Sequence, residues 1–216
     1  MSDGFFYFIR LSQGLVLLPF LIGLLRLKQH SEIQRILWYL VGASVLTEAI
    51  GLYIAEYVVP PNNLAVYNVY AVIQFIFVTR IYYKALQGDV IRKGLDLITI
   101  LFTLFAVINL IWIQSINSFN TNIIVSSFFF YVALAIVFFY QKLSTAKDVA
   151  LERNPMFWLN SGMLIYNSGA FLLFVFVNHV ITASDDVVMA SWRLNAVLSI
   201  IQICFYSVAL WIRPKE

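Results

Sequence analysis

LDLITILFTLFAVINLIWIQSI, residues 95 to 116, carries a single charged side chain, Asp96, and is otherwise almost wholly apolar. As a helix it is long enough to cross a bilayer's hydrocarbon core, which takes about 20 apolar residues for roughly 30 Å. Six further stretches read the same way: 5 to 26, 36 to 59, 64 to 86, 121 to 143, 156 to 180 and 190 to 212. Lipid offers no partner to a backbone N–H or C=O, so spans of this kind close their hydrogen bonds within each segment, as helices. The expectation is an all-α polytopic membrane protein, a single seven-transmembrane-helix bundle over residues 1–216.

The bulk composition agrees. The chain is 62% hydrophobic and 12% charged, with a mean hydropathy of +0.85, whereas a soluble domain carries roughly 25% charged residues. The net charge of +3 sits in short basic clusters between apolar runs, so the bilayer is the expected partner and no nucleic acid is. Cys204 is the single cysteine, which excludes an intrachain disulfide and reads as a small hydrophobe. Asp3 precedes the first apolar run while Arg26 and Lys28 follow it; a secretory signal has the opposite polarity, so this run is expected to be a retained first helix. Pro60-Pro61-Asn62-Asn63 and Gly88-Asp89 punctuate the spans, Asn154-Pro155 supplies a cap and a first-turn proline, and Pro214 follows the last span.

Lysine and arginine orient the bundle. Of the fourteen, two (Arg10 and Arg193) fall with the N-terminus and the even-numbered connections, and twelve with the odd-numbered connections and the C-terminus. The positive-inside rule then puts the N-terminus outside and the C-terminus in the cytoplasm, as a multi-pass protein of a bacterial cytoplasmic membrane.

Several spans carry polar or small residues at i, i+3/4, i+7 and i+11, which share one helix face. Asn63, Tyr67, Tyr70 and Gln74 form such a stripe in the third span, and Asn195, Ser199, Gln202 and Tyr206 in the seventh. The two are expected to share a wall inside the bundle. Ser44, Thr47, Glu48, Gly51 and Ala55 mark the second span, Asp96, Thr99, Thr103 and Ala106 the fourth, and Asn160 and Asn167 the sixth. Amides and small residues of this kind also act simply as interhelical glue, at about 1 kcal/mol each.

Charges inside a span are different, since one at the helix centre costs about 2.5 to 3.5 kcal/mol even on the mild insertion scale. Glu48 lies about twelve residues from either end of its span, and Glu56, Arg10 and Arg193 lie toward the outer face. With Gln13, Tyr67, Tyr70, Gln74, Asn109, Asn167, Asn195 and Gln202 they outline a candidate ligand pocket opening outward. Snorkelling to the interface accounts for Arg10 and Arg193 equally well. Glu48 is expected to be protonated or paired, with Arg10 its cationic partner if the first two helices are neighbours.

No H-E-x-x-H, G-x-S-x-G, Walker A or G-x-G-x-x-G motif is present, so no catalytic residue is assigned. His30 and His179 fall on opposite faces and cannot share a metal, and neither metal nor cofactor is expected. Ser161-Gly162 and Ser168-Gly169 have no base at their depth and read as helix-packing pairs.

Seven helices with an outside N-terminus resemble the rhodopsin and G-protein-coupled receptor arrangement, but the seventh span has no lysine for a retinal Schiff base. In size and topology the chain is similar to the SWEET transporters and the KDEL receptor, built as three helices, a linker helix and three more. Trp38 to Gly42 and Trp158 to Gly162 share a W-x-x-x-G spacing, and Ala71-Val72-Ile73-Gln74 is matched by Ser199-Ile200-Ile201-Gln202, at offsets of 120 and 128. The Pro-Gln dipeptide typical of SWEET proteins is absent, as is a proline in the fifth span. Asn68-Val69-Tyr70 through Gln74-Phe75, and Phe157-Trp158-Leu159-Asn160-Ser161-Gly162 through Tyr166, resemble an uncharacterised group of small bacterial seven-helix membrane proteins that accompany sensor histidine kinases. In size the chain also resembles lysoplasmalogenase-like membrane enzymes, although neither Glu48 nor Asp96 aligns with their acidic residues.

Three functions follow, in this order. A sensory or signal-coupling protein uses the pocket for a small-molecule ligand, and the loops around Arg92, Lys93, Lys147 and Arg153 for a cytoplasmic or membrane signalling partner. A small-solute transporter uses the same pocket by alternating access. An intramembrane lipid-modifying enzyme needs a carboxylate, for which Glu48 is the candidate.

Overall fold

A computed structural model describes residues 3–145, 151–180 and 182–213. Lys147, Pro214 and Lys215, to which the sequence reading gave roles, lie outside these residues, as does the side chain of His179. Among the described residues there is no strand, and seven helical spans are long and apolar enough to cross a membrane.

The first span is two helices, α1 (Asp3–Gly14) and α2 (Leu17–Arg26), where an unbroken one was expected. The break has a local cause. Pro19 has no N–H to give the Leu15 carbonyl four residues back, and its ring crowds that carbonyl. Leu18 donates to Leu15 O instead, at 2.9 Å. A 3₁₀ turn, Leu27–Gln29, leads to α3 (Glu32–Tyr57). Ser31 and Gln34 start α3 with a reciprocal capping box, so the helix begins four residues before the apolar run.

Helix α4 (Leu64–Ala85) ends before Gly88, whose φ of +108° favours glycine and turns the chain into α5 (Asp89–Ile108). A π-helical stretch, Asn109–Ile113, extends α5, and α6 (Thr121–Thr145) follows. Helix α7 (Pro155–Val175) starts as its sequence announces, with Pro155 in the first turn and the Asn154 side chain accepting from Met156 N at 2.9 Å. A short α8 (Val177–Val180) precedes α9 (Asp185–Trp211), which begins in polar residues ahead of the predicted 190.

Six spans close into a ring. The α1/α2 span packs on α3, α3 on α4, α4 on α6, α6 on α7, α7 on α9, and α9 back on α1 and α2. The fourth span, α5, stays outside and packs on α4. Phe75 of α4 stacks on Phe102 of α5 with ring centroids 3.6 Å apart, and Phe130 of α6 meets both edge-on. The rest of α5 shows its apolar side chains outward, from Leu97 and Ile100 through Leu104 to Ile111, each more than half exposed, which suits a helix with lipid around most of its girth.

Lipid tails are as apolar as leucine, so close packing and interhelical hydrogen bonds hold such helices together. The tightest seam, α7 against α9, runs over glycines: a Cβ on Gly162 would stand 2.7 Å from the Phe205 Cβ, and one on Gly169 2.8 Å from a Leu198 methyl.

Candidate functional site

Glu48 is half-buried on α3, nearly two-thirds of the way from Glu32 to Tyr57, because the helix starts before and stops before the apolar run that put it at the centre. Its Oε2 accepts from the Tyr67 hydroxyl of α4 at 2.9 Å, and the Gln13 side chain of α1 lies beside both groups. One turn below, Tyr70 of α4 lies beside the Ser44 side chain of α3. Gly51 lets α4 come this close, since a Cβ there would lie 2.8 Å from the Tyr67 hydroxyl oxygen. The first three spans thus converge on one carboxylate.

Arg10 reaches Glu56, not Glu48: its guanidinium lies 2.7 Å from Glu56 Oε1, with both side chains about 40% exposed. The reason is reach. Arg10 lies nearly a turn before Gln13 on α1, and so meets α3 two turns nearer its C-terminal end than Glu48, about 12 Å along the axis.

The other half of the ring faces this cluster with tyrosine and amide groups. Tyr166 of α7 is within electrostatic reach of Tyr70 and Glu48, and Tyr206 of α9 within reach of Tyr70, Tyr82, Tyr131 and Tyr166. Tyr206 donates to the Met163 sulfur at 2.7 Å, and Gln202 lies 3.8 Å from the same atom. Tyr82 of α4 donates to Asn160 Oδ1 at 2.6 Å, and Asn160 donates to Ala135 O, joining α4, α7 and α6. Asn167 donates to Met163 O at 2.6 Å. Its Oδ1, and that of Asn195, are buried without a hydrogen-bond partner among the described residues.

The third- and seventh-span stripes therefore both turn inward, but they face each other across the ring and do not share a wall. Gln74 is half-buried on α4. Asn109 belongs elsewhere: fully buried beyond α5, it hydrogen-bonds Gln114 and Asn120 in the connection before α6 and Asn122 in the first turn of α6. Arg193 is exposed near the start of α9 and has an interaction partner. Of the expected pocket residues, Glu48, Tyr67 and Tyr70 meet directly, Asn167 and Gln202 gather around Met163 opposite them, and Arg10 with Glu56 forms a separate exposed pair.

A second polar region was not anticipated. At the end of the bundle where α3 begins and α9 finishes, α9's last carbonyls meet side chains from the first two spans. Gln34, 1% exposed, donates to Ala209 O and Ile212 O at 2.8 Å each. His30 Nε2 lies 3.3 Å from Leu210 O, and Arg26 donates to Trp211 O at 2.6 Å while its guanidinium stacks 3.6 Å over the Trp211 ring. Carbonyls that no helical N–H can serve are thus capped. Burial holds the His30 imidazole below the usual histidine range, against the opposing pull of the Leu210 carbonyl, and Arg35 and Arg26 lower it further. The sequence signal was the Ser31-x-x-Gln34 box; nothing in it pointed to α9.

Ser161 and Ser168 donate to carbonyls of their own helix, Phe157 O and Leu164 O. Among the described residues no three of His, Cys, Asp and Glu gather as a metal site would require. The chemistry on offer is a carboxylate surrounded by hydroxyls, amides and aromatic faces, suited to holding a proton, a cation or an amine.

No protein-family model, no characterised protein and no solved structure matches the chain.

Proposed function

We propose that the protein is a small-solute carrier of two parallel three-helix halves joined by the peripheral fourth helix, with Glu48 at its polar centre, and that its solute is a small cation or primary amine. The observation that carries this reading is the neighbour order of the ring. Spans one, two and three pack in sequence, as do five, six and seven, and the halves meet third span to fifth and seventh to first, with a lighter contact of the second on the seventh that has no equal counterpart. Each contact in one half has its counterpart in the other, the relation that parallel transporter repeats share.

The likeness lies in helix order more than in side chains. Trp38 stacks on Phe20 at 5.4 Å, and Phe157 packs on Phe139 at 5.9 Å in the corresponding seam. Gly42, however, faces Phe20 of the first span, whereas Gly162 receives Phe205 of the seventh. A carboxylate beside Tyr67, Tyr70 and Tyr166 favours a cationic solute, since aromatic faces attract cations. The positive-inside orientation stands with this proposal: a reporter fused after Glu216 reads as cytoplasmic and one at Ser118 as external.

A sensory protein, which the absence of a catalytic motif in the sequence places first, would use the same centre without alternation. Flux separates the two. Proteoliposomes with wild-type protein are expected to take up at least one of sodium, potassium or methylammonium faster than empty liposomes, and those with Glu48→Gln are expected not to. Equal uptake by wild type, Glu48→Gln and empty liposomes for all three probes contradicts the proposal.

A further inference from the structure

Away from the ring's axis, α4 and α5 enclose a groove of about 170 Å³ lined by Thr79, Arg80, Tyr83, Asp96 and Thr99 together with aliphatic side chains. Its two charged residues form only a loose, exposed ion pair. Arg80 and Asp96 approach only to 3.8 Å, each more than half exposed, which is too long for a hydrogen bond. The Arg80 guanidinium lies 4.6 Å from the Tyr83 ring centroid and that of Arg92 5.8 Å from the same centroid, so two cations lie against one aromatic ring. Arg92 Nε is buried with no hydrogen-bond partner. The neighbouring Lys84 is neutralised by Glu32 of α3 at 2.7 Å. At the groove's floor Thr99 donates to Thr79 Oγ1 at 2.9 Å.

Two guanidiniums against one carboxylate leave a surplus positive charge, and guanidinium forks match the oxygens of a phosphate. Arg80 lies five residues before the end of α4, about 8 Å at 1.5 Å per residue, and Arg92 lies in the first turn of α5. That is headgroup depth on the lipid-facing side of the fourth span. Asp96 stands about one turn deeper than Arg92 on the same helix face, and its loose 3.8 Å ion pair with Arg80 leaves the exposed carboxylate able to accept from an ammonium. We propose that this groove binds the headgroup of an aminophospholipid, with the phosphodiester on Arg80 and Arg92 and the primary amine on Asp96. The site is independent of the carrier reading, which rests on the opposite side of α4.

Native mass spectrometry of delipidated protein, titrated with phosphatidylethanolamine, phosphatidylcholine or phosphatidylglycerol of equal acyl chains, tests it. Phosphatidylethanolamine is expected to be retained about tenfold more tightly than phosphatidylcholine. Asp96→Asn, whose side chain is exposed and expected to leave folding intact, should erase that preference. Arg80→Gln with Arg92→Gln should weaken retention of all three lipids, and the charge-keeping Arg80→Lys with Arg92→Lys should restore most of it. Equal retention of the two zwitterionic lipids by wild type, tighter retention of phosphatidylglycerol, or no change in Asp96→Asn overturns the proposal. Glycerophosphoethanolamine, added as a soluble competitor, is expected not to displace the lipid; displacement at equimolar concentration overturns the assignment to a lipid.

Discussion

The two polar regions of the ring, the capped end of α9 and the cluster at Glu48, use similar side chains in opposite ways. At the capped end, Gln34, His30 and Arg26 all turn to backbone carbonyls that a helix terminus must leave open. Gln34 and Arg26 are committed to structure there, and of His30 the Nε2 is, its Nδ1 being buried without a partner among the described residues. At Glu48, side chains meet side chains, from three separate spans, and the facing half holds two buried amide oxygens without partners. Capacity held in reserve midway across a membrane costs stability, because buried polar groups are expensive when unsatisfied. The contrast separates a latch from the proposed binding centre.

The largest expected effect lies at the latch. Gln34→Ala removes the α3 capping box and leaves two terminal carbonyls of α9 without donors. A buried group that loses its partner costs about 1 to 3 kcal/mol, so a loss of about 3 kcal/mol is expected in reversible unfolding from detergent micelles. Glu48→Gln is expected to cost less than about 1 kcal/mol in the same assay, because its amide oxygen still accepts from Tyr67, while cation uptake is lost. Similar destabilisation by the two changes would erase the distinction between the regions.

Gly51→Ala sharpens the comparison from the other side. A methyl 2.8 Å from the Tyr67 hydroxyl oxygen must push Tyr67 off Glu48, at about 1 to 2 kcal/mol for overpacking. Uptake should fall while the latch, read by tryptophan fluorescence at Trp211, is undisturbed.

A smaller effect is pH-dependent. The His30 imidazole is held below its ordinary range when folded, so its contribution is present above the unfolded value of about 6.5. It declines as pH falls through that value, because the unfolded chain then takes up a proton that the folded one refuses. Thermal stability of wild type relative to His30→Asn is therefore expected to drop between pH 7 and pH 5.5. A constant difference contradicts the burial of a neutral imidazole. The smallest effect belongs to Arg10 and Glu56: exposed pairs are worth about 0 to 1 kcal/mol, and a double-mutant cycle should give a coupling in that range that fades with salt.

What the sequence disclosed follows from which forces are local. Apolar length located all seven spans, and Asn154-Pro155 located a helix start to the residue, because caps and prolines act on their own turn. Helix ends ran past the apolar runs at Glu32, Asp89 and Asp185, where capping and interfacial solvent, not lipid, decide the boundary. Periodicity turned the Tyr67 and Gln202 stripes inward but left open which helices they meet, since a stripe fixes a face and not a neighbour. Arg10 was paired with the wrong acid for that reason, and Asn109 was placed in a pocket when its partners lay a few residues along in the next turn. The Gln34 bonds to α9 join residues 175 and 178 apart, and no local signal carries contacts of that range.

Whether the Glu48 centre opens to both faces of the membrane decides between a carrier and a receptor. In a Cys204→Ser background, Ser44→Cys places a thiol beside Tyr70 and one turn from Glu48. A membrane-impermeant maleimide is then added to right-side-out or inverted vesicles, in wild type and in Gln34→Ala. A carrier predicts labelling from both faces, with Gln34→Ala raising the rate about tenfold from the face where α9 ends and leaving it unchanged or lower from the other. Labelling from one face alone in both backgrounds contradicts alternating access and leaves Glu48 the centre of a one-sided receptor.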